Sequence, residues 1–480
     1  MNRRMIFYTV GRIITLEAGL LLLPMAVALW YGESCAWDLL ASAAIALVVG
    51  LAMTRLSKPT SQTFFAREGF VIVALAWVFM SLIGMLPYLF SGEIPFWVDA
   101  FFETVSGFTT TGASILTNVE AMSHGLLFWR SFTHWIGGMG VLVLIMAIVP
   151  TETGRSIHIM RAEMPGPIVG KLMPRIKDTA QILYLMYVVL TVVQIVLLMA
   201  GGMPPFESIT HAMATAGTGG FSVKADCFAS YSPYLQWVTA IFMTLFGVNF
   251  NVYYLALRKK FKEILRSTEL WTYLGIILVS IVLVSISIST EYDTLEEIVR
   301  QSAFQVTSII TTTGYASTNF DLWPELAKNV LLILMFLGAC AGSTGGGLKI
   351  SRAILLVKMA RRELKRMIHP RSVGTVQFEG KRVSDATLNS VCMYFVLYCI
   401  ILVALTLFLC INPFSIETNL AAAASCFNNS GPGFGIVGPA SNYSYYNAIS
   451  KFVLAISMLF GRLEIYPMLL ALSPSTWTKE

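Results

Sequence analysis

Threonine and glycine stand side by side in four short segments of this chain. The segments lie at positions 109–113, 217–221, 311–315 and 431–435 and read TTTGA, GTGGF, TTTGY and GPGFG. Glycine lets a backbone turn its carbonyl oxygens toward a common axis without a Cβ clash, and a threonine hydroxyl adds another oxygen nearby. A ring of such oxygens replaces the water shell of a monovalent cation. These residue types therefore favour ion coordination by loops over nucleophilic or acid–base catalysis.

The chain around these segments is too apolar for a soluble globular protein. Of its 480 residues, 56% are hydrophobic and 12% are charged, and the mean hydropathy is +0.70. Several apolar stretches approach the roughly 20 residues that a helix needs to cross a bilayer; they lie at 71–89, 128–150, 182–200, 270–289 and 391–411. We predict an all-α polytopic membrane protein. The first apolar run, 13–30, imitates a signal peptide but contains Glu17 and lacks a small-residue cleavage site, so we predict a retained helix.

One pattern recurs four times along the chain. A long apolar helix, a short segment that ends in one of the four loops, and a second long helix follow one another. The short segments are too brief to span a bilayer, and irregular backbone at that depth is tolerated only inside protein or along a water-filled path. We therefore predict four pseudo-symmetric helix–pore loop–helix repeats around one pore, at 68–154, 155–266, 267–383 and 384–480, after an N-terminal transmembrane helix pair at 1–67. Continuous second helices are predicted at 125–150, 233–258 and 444–471, and the one that starts near 325 is interrupted.

Charge is distributed unequally between the two sides of this layout. Most of the 33 basic residues fall at the N-terminus and in the segments that join the units, whereas the short segments and their flanks carry acidic residues. By the positive-inside rule, the N-terminus and the joining segments face the cytoplasm. The acidic side then faces outward, where it would concentrate cations; ordinary solvated loop charges are the alternative. The seven cysteines and five histidines are scattered without ligand spacing, which argues against a metal-ligand cluster.

The loops match a known type of ion filter. Thr312, Thr313, Gly314 and Tyr315 match the Thr, Gly and Tyr of the potassium-channel filter TVGYG, and 431–435 matches its Gly, aromatic residue and final Gly. The alignment takes Gly112, Gly220, Gly314 and Gly433 as the central glycines. With four such loops in four repeats, the whole chain resembles the membrane subunits of the Trk/Ktr/HKT potassium-transporter superfamily, and within it the TrkH type.

The resemblance implies that the four loops coordinate K⁺, the transported ion, in a selectivity filter. It assigns coordination to Thr110, Thr111, Gly112, Thr218, Gly219, Gly220, Thr312, Thr313, Gly314, Gly431, Pro432 and Gly433. Ala113 replaces the aromatic residue in the first loop, and Pro432 precedes the fourth glycine. The four loops are therefore not identical, and we expect a looser K⁺/Na⁺ distinction than in a symmetric filter. The family also implies a homodimer and a cytoplasmic, nucleotide-binding regulatory ring of the TrkA type.

The stretch 338–347, GACAGSTGGG, interrupts the third unit. Each glycine in a helix costs about 1 kcal/mol, so the stretch predicts a flexible intramembrane loop, with close packing of small residues as the alternative. A phosphate-binding loop is excluded because Lys349 does not directly follow a glycine. In the family the corresponding loop lies beneath the filter and gates the pore. This assigns a gate to Gly338, Gly342, Ser343, Thr344, Gly345, Gly346 and Gly347.

Single polar residues within apolar stretches add further candidates. Arg462 lies in the last predicted helix, where a charge is expensive in lipid, and we assign it to the gate as an electrostatic barrier below the filter. A structural pair with Glu464 is the alternative. Asn249 and Asn251 are predicted to line the same cavity. His134 is predicted to pack between helices, with proton coupling as the alternative.

The combined prediction is K⁺ uptake across the cytoplasmic (inner) membrane of a bacterium, gated by the intramembrane loop and by a cytoplasmic subunit. The alternative is a Na⁺-permeable transporter of the same fold, or a symporter that couples K⁺ to Na⁺ or H⁺. An enzyme is disfavoured because the sequence shows no nucleophile–base pair. A purely regulatory subunit is disfavoured because all four loops keep their glycines. The expected partners are the lipid bilayer, a second copy and the regulatory ring, and not nucleic acid.

Overall fold

The computed structural model of this protein describes residues 1–59, 66–140, 176–371 and 374–478. Its N-terminal pair consists of one span through Arg3–Leu20 and Leu22–Tyr31 and of the helix Cys35–Leu56. The two cross at small residues: a Cβ on Gly50 would lie 2.4 Å from Thr15 Oγ1. Because glycine lets helix backbones approach closely in a membrane, the pair forms a tight hairpin.

The predicted succession of a long helix, a short helix and a second long helix is present four times. The first helices are Ala66–Gly84 with its continuation Leu86–Ser91, Ile176–Ala200, Thr268–Ser287 and Asp385–Leu409. Short helices 1 to 4 are Trp97–Phe108, Pro205–Gly217, Leu295–Ile310 and Ile416–Asn428. The second helices are His124–Gly138, Pro233–Phe246, Glu325–Leu337 and Ala448–Arg462. The polytopic helical fold is confirmed, whereas the numerical unit boundaries stay a prediction.

The remaining elements of the described chain are helices that follow the second helices and 3₁₀ turns that precede them. They are the helices Phe250–Leu257, Phe261–Leu265, Ile350–Ile368, Tyr466–Leu472 and Pro474–Trp477, and the 3₁₀ turns Phe320–Leu322, Gly435–Val437 and Tyr443–Tyr445. One antiparallel hairpin pairs Gln377–Phe378 with Lys381–Arg382. The sequence did not predict this hairpin because strands of two residues carry no readable alternation of polar and apolar side chains.

Local sequence signals determine where the short helices begin. The Thr294 hydroxyl accepts a hydrogen bond from the N–H of Glu297, and the Ser415 hydroxyl accepts one from Thr418. Both are N-cap contacts that satisfy a helix N–H group without an intrahelical partner. Pro205 occupies the first turn of short helix 2, where its missing N–H costs nothing. These residues therefore determine where the short helices begin.

The second helices of units 2 and 4 are not continuous, so the predicted helices 233–258 and 444–471 are wrong. In unit 2 the chain bends by 89° between Phe246 and Phe250, and in unit 4 by 120° between Arg462 and Tyr466. Asn249 is the N-cap of the next helix, Phe250–Leu257, and its side chain accepts a hydrogen bond from the N–H of Asn251 at 2.9 Å. The predicted interruption of unit 3 is present between Leu337 and Ile350. In unit 1 the helix ends at Gly138, and the predicted remainder, 141–150, lies outside the described residues.

The short helices form the interior and the long helices form the surface. Every residue from Ala100 to Phe108 and from Ala421 to Asn428 is buried. By contrast, only 22% of the most apolar window of Thr268–Ser287, and of Asp385–Leu409, is buried. In the described chain, six helices are long and apolar enough to cross a membrane, or eight spans if each bent pair counts as one. The long helices thus surround the four loops.

Candidate functional site: a ring of four loops above a broken helix

The four loops follow one backbone path. Each begins with a residue in the left-handed conformation; these are Thr110, Thr218, Thr312 and Asn429, at φ values of 54°, 54°, 58° and 58°. The next residue donates its N–H to the carbonyl five positions earlier, at 2.9 Å in every loop. A glycine at positive φ follows, namely Gly112, Gly220, Gly314 and Gly431. The shared path makes the loops structurally equivalent and places each at the carboxyl end of a short helix.

This equivalence corrects the alignment of the fourth loop by two residues. In the fourth loop, the residue equivalent to the central glycines of the other three loops is Gly431, not Gly433. Asn429 and Ser430 precede it. Gly433 lies further along, where its N–H donates to Val437 O at 2.7 Å. The sequence comparison matched the glycine–aromatic spacing of GPGFG and so missed the decisive signal. That signal is an asparagine directly after the helix, since asparagine tolerates the left-handed conformation.

The four loops close into a ring. Each central glycine lies against the carbonyl of the residue before the glycine of the next loop. A Cβ on Gly112 would lie 2.0 Å from Gly219 O, and one on Gly220 would lie 1.9 Å from Thr313 O. A Cβ on Gly314 would lie 2.1 Å from Ser430 O, and one on Gly431 would lie 2.7 Å from Thr111 O. Real Cβ atoms essentially never come within 3.0 Å of such an atom. Only glycine fits, and the four contacts run once around a common axis.

Three of the loops hold a threonine in the left-handed conformation. For a β-branched residue this is a genuine outlier that costs about 1–2 kcal/mol. The surrounding hydrogen bonds hold it there: Thr312 Oγ1, for example, accepts the N–H of Gly346 at 2.6 Å. Strain of this kind concentrates at functional sites. The conformation turns the loop sharply at the point where the chain leaves the helix.

Oxygen atoms at the loops suit a cation. Thr110 Oγ1 and Ser430 Oγ are buried and have no hydrogen-bond partner among the described residues. The carboxyl ends of the four short helices add partial negative charge at the same place. The fourth loop differs, because Gly431 O already accepts hydrogen bonds from Tyr443 at 2.9 Å and from Ser425 at 2.6 Å. The ring is therefore fourfold in backbone path but not in available oxygens.

His134 explains why the second loop has glycine where the others have threonine or serine. A Cβ on Gly219 would lie 2.3 Å from the His134 ring. The Nδ1 atom of the His134 imidazole lies 2.7 Å from Gly107 O, and its Nε2 atom accepts a hydrogen bond from the N–H of Phe221 at 3.3 Å. These bonds require the neutral imidazole with its proton on Nδ1. His134 therefore packs between short helix 1 and the second loop, as the packing interpretation predicts, and both ring nitrogens are engaged.

An outer cavity of about 170 Å³ opens above the ring and is lined by all four central glycines. Arg130 and Lys224 line it, and no carboxylate among the described residues does. Arg130 pairs with Glu103 at 2.7 Å, and both side chains are buried. The charged side chains that line this cavity are therefore basic, and the acidic vestibule around it stays a prediction. Glu103 instead ties short helix 1 to the second helix of unit 1 and accepts the N–H of Ile115 at 3.0 Å.

The interrupted segment of unit 3, residues 338–349, lies directly beneath the ring. A Cβ on Gly346 would lie 2.4 Å from Asn428 O, and one on Gly345 would lie 2.8 Å from Thr311 O. Thr344 Oγ1 donates to Phe246 O at 3.2 Å, where the second helix of unit 2 ends. Gly338, Gly342 and Gly347 have positive φ. We call this segment the break; its glycines let it press against two loops at once.

Arg462 joins the break to unit 1. Its guanidinium donates to Thr344 O at 2.8 Å, and to Gly137 O and Gly138 O at 2.5 and 2.7 Å. The last two carbonyls are at the carboxyl end of a helix, where a cation is favoured. Glu464 forms an ion pair with Arg352. Arg462, Gly346 and Ser343 also line a cavity of about 40 Å³ below the ring, close to the size of a few water molecules.

Asn249 and Asn251 do not line this inner cavity. Both line a second, larger cavity on the other side of the break. The predicted position of these two residues is therefore wrong, because the 89° bend of unit 2 carries them behind the break.

Comparison with known proteins agrees with this architecture over the whole chain. The profile of the TrkH family, described as a cation transport protein, matches residues 39–479. The chain belongs to the TrkH family. The Trk system potassium uptake protein TrkH of Salmonella typhimurium is 35% identical over 99% of this chain and 100% of its own length. The TrkG protein of Escherichia coli is 34% identical over 99% of this chain and 98% of its own length.

A solved structure supports the same assignment. The crystal structure of the potassium transporter TrkH from Vibrio parahaemolyticus superimposes with a TM-score of 0.89 at 32% identity, and each chain is covered completely. This member of the TrkH family is therefore a multi-pass bacterial membrane protein of a cation transporter class, which is not a class of enzymes.

Proposed function

We propose that this protein takes up K⁺ across the cytoplasmic membrane, through the ring of four loops. The observation that carries the proposal is the closed circuit of central glycines against neighbouring carbonyls, from Gly112 through Gly220 and Gly314 to Gly431. Such a circuit holds backbone and hydroxyl oxygens at one level around an axis, which is the arrangement that replaces a hydration shell. The relatives named above are potassium uptake proteins, which supports K⁺ as the ion.

Coordination is assigned here to the residues of the aligned loops. These are Thr110, Thr111 and Gly112; Thr218, Gly219 and Gly220; Thr312, Thr313 and Gly314; and Asn429, Ser430 and Gly431. Pro432 and Gly433, which the sequence comparison included, follow the aligned triplet and are left out. The break and Arg462 form the gate, because together they fill the space beneath the ring and leave only a small cavity.

Strict discrimination against Na⁺ is not part of the proposal. Gly431 O is occupied by two hydroxyl donors, so the fourth loop offers one oxygen fewer than a symmetric filter. Fewer oxygens of fixed position make the preference for K⁺ weaker. This observation favours a K⁺-preferring pathway with measurable Na⁺ permeability over a pathway selective for Na⁺.

The assembly is proposed from charge distribution and kinship. The helix Ile350–Ile368 carries a basic surface with Arg361, Lys365 and Arg366 exposed, which faces the cytoplasm by the positive-inside rule. The N-terminus lies on that side as well. The relatives belong to a named Trk system, which supports a cytoplasmic TrkA-type nucleotide-binding ring as partner, and a homodimer is proposed with it.

The test is ⁸⁶Rb⁺ uptake into liposomes that carry the purified protein, with external K⁺, Na⁺ or Li⁺ as competitor. We expect K⁺ to block uptake at a lower concentration than Na⁺, and Gly314→Ser to lower uptake about ten- to hundredfold because its Cβ meets Ser430 O. Gly275→Ala is the matched control, since a Cβ there meets nothing within 4 Å. Equal competition by all three ions, or a normal Gly314→Ser variant, would refute the ring as the filter.

A further inference from the structure

A second cavity lies behind the break, away from the ring. It measures about 430 Å³ and is enclosed by the bend of unit 2, the break, the start of helix Thr268–Ser287 and the turn of the hairpin. It shares no lining residue with the small cavity beneath the ring. The two cavities are therefore separated by the break itself, and the second one lies off the axis of the four loops.

The inner wall of this cavity offers oxygen atoms that lack partners. Ser351 is completely buried, and its Oγ has no hydrogen-bond partner among the described residues. The Oδ1 of Asn251 is in the same situation. Both residues line the cavity. Buried polar oxygens without partners are rare and costly, so such atoms mark the place of a bound water or ion.

A buried carboxylate lines the same cavity. Glu269 is 5% exposed, and its Oε1 accepts the N–H of Ala341, which belongs to the break, at 2.7 Å. The Asn249 side chain donates a second hydrogen bond to Glu269. A carboxylate has about four acceptor positions, so these two hydrogen bonds leave room for an ion. The amino end of helix Ile350–Ile368 and Lys349 lie nearby; the ammonium of Lys349 donates to Gly345 O and lines the other cavity. The carboxylate thus connects the cavity directly to the break.

The one buried charged side chain in the lining of this cavity is the Glu269 carboxylate. The other charged residues of the lining, Glu263, Arg266, Glu379 and Lys381, are exposed, and Glu263 already pairs with Lys260 at 2.8 Å. Among the described residues there is no group of three His, Cys, Asp or Glu side chains that could hold a metal ion. Hydroxyl, amide and carboxylate oxygens suit hard cations rather than transition metals.

We propose that this cavity binds one alkali cation, Na⁺ or K⁺, held by the Glu269 carboxylate, the Ser351 hydroxyl and the Asn251 amide oxygen. The bound ion stabilises the break in its position under the ring, because the same carboxylate holds Ala341. This is a site separate from the four loops, with its own ligands. Binding there does not depend on the proposed function, since it is measured without transport.

The test is the apparent Tm of the purified full-length protein while choline chloride is replaced by NaCl, KCl or, at matched ionic strength, MgCl₂. We expect Na⁺ or K⁺ to raise Tm by about 2 °C or more over choline. Glu269→Gln keeps an acceptor for Ala341 but removes the charge, and it should abolish at least half of this rise. Ser351→Ala should reduce the rise as well. Ser280→Ala, on the same helix as Glu269 but outside the lining of the cavity, is the control and should leave the rise unchanged.

Each alternative result would count against the site. If the cavity holds only water, Na⁺ and K⁺ give no rise over choline, and Ser351→Ala changes Tm by the same amount in all of these salts. If the cation effect comes from the four loops, Gly314→Ser abolishes it and Glu269→Gln does not. A rise with Mg²⁺ alone that Glu269→Gln removes would overturn the assignment to an alkali cation. The proposal stands if the rise survives Gly314→Ser and is lost in Glu269→Gln.

Discussion

At the scale of single residues, the ring depends on backbone conformations that most side chains avoid. Thr110, Thr218 and Thr312 accept the cost of a left-handed β-branched residue, and each is followed two positions later by a glycine that a neighbouring carbonyl touches. The cost is spread over three loops and is offset by the helix-ending hydrogen bonds. Substitutions at these positions are therefore expected to alter the ring more than the fold.

The corrected register of the fourth loop predicts different outcomes for two neighbouring glycines. Gly431→Ala places a Cβ 2.7 Å from Thr111 O at φ 88°, and we expect about a tenfold or greater loss of ⁸⁶Rb⁺ uptake. A Cβ on Gly433 would lie 2.8 Å from Val437 Cγ2, which can turn away, and 3.2 Å from Ala421 Cβ, which needs a shift of only a few tenths of an ångström. Gly433→Ala should lower Tm but keep the order of competition by K⁺ and Na⁺. The reverse result would restore Gly433 as the central glycine.

Arg462 is predicted to hold the gate closed. Arg462→Gln removes the charge and most of the donors to Thr344, Gly137 and Gly138, so we expect ⁸⁶Rb⁺ uptake without any partner to rise roughly tenfold. Arg462→Lys keeps the charge and should raise uptake much less. Identical rates in the two variants would show that the charge is not the barrier.

At the scale of elements, the second helix ends or bends beneath the ring in every unit. It ends at Gly138 in unit 1, bends after Phe246 in unit 2, stops at Leu337 in unit 3 and bends after Arg462 in unit 4. A straight helix would cross beneath the loops and fill the axis with backbone. The repeated interruption leaves that space to the break and to Arg462.

The fit of the break under the loops can be tested by enlarging one glycine. Gly346→Ala places a Cβ 2.4 Å from Asn428 O, so the break must move away from the fourth loop. We expect faster ⁸⁶Rb⁺ uptake in the absence of a partner protein, together with a lower Tm. Gly19→Ala, where a Cβ meets nothing within 4 Å, is the matched control. Unchanged uptake and an unchanged Tm would mean that the break does not seal the ring.

The N-terminal hairpin is joined to unit 1 by a carboxylate whose contribution depends on pH. Glu33 accepts the N–H groups of His124 at 2.8 Å and Gly125 at 3.0 Å. Burial alone would raise the pKa of Glu33, but the hydrogen bonds from Gly125 and His124 lower it below its ordinary value. Its contribution to stability is therefore complete above the ordinary pKa and is lost as the pH falls through the lowered value.

Glu33→Gln should consequently lower Tm at pH 7, and the difference from the unmodified protein should shrink below about pH 4. Thermal unfolding followed between pH 3 and 8 gives the measurement. Glu291→Gln, an exposed carboxylate between other helices, is the control. If the difference in Tm between Glu33→Gln and the unmodified protein stays constant over this pH range, the effect comes from packing and not from the charge of Glu33.

At the scale of the whole molecule, the long helices present apolar side chains outward while polar groups gather near the axis. Thr268–Ser287 and Asp385–Leu409 expose most of their apolar windows, whereas the short helices are buried. Because lipid offers no hydrogen bonds, irregular backbone at this depth has to be enclosed by protein. The architecture therefore shields the four loops within one shell of helices.

The sequence by itself determined the membrane helices, the four loops and the interruption of unit 3, because hydropathy and glycine content are local properties of the chain. It also indicated polar residues within apolar stretches, such as Arg462, as candidates for a functional role. It did not reveal the bends after Phe246 and Arg462, since both interrupt apolar stretches that read as continuous.

Only the tertiary structure decided the register of the fourth loop and the placement of Asn249 and Asn251. Gly431 is identified by its contact with Thr111 O, a residue more than 300 positions away, and by a left-handed asparagine that no hydropathy pattern marks. Likewise, Gly219 is required because the His134 ring occupies the space beside it. Close approach between distant segments is a property of packing, and no local pattern in the chain encodes it.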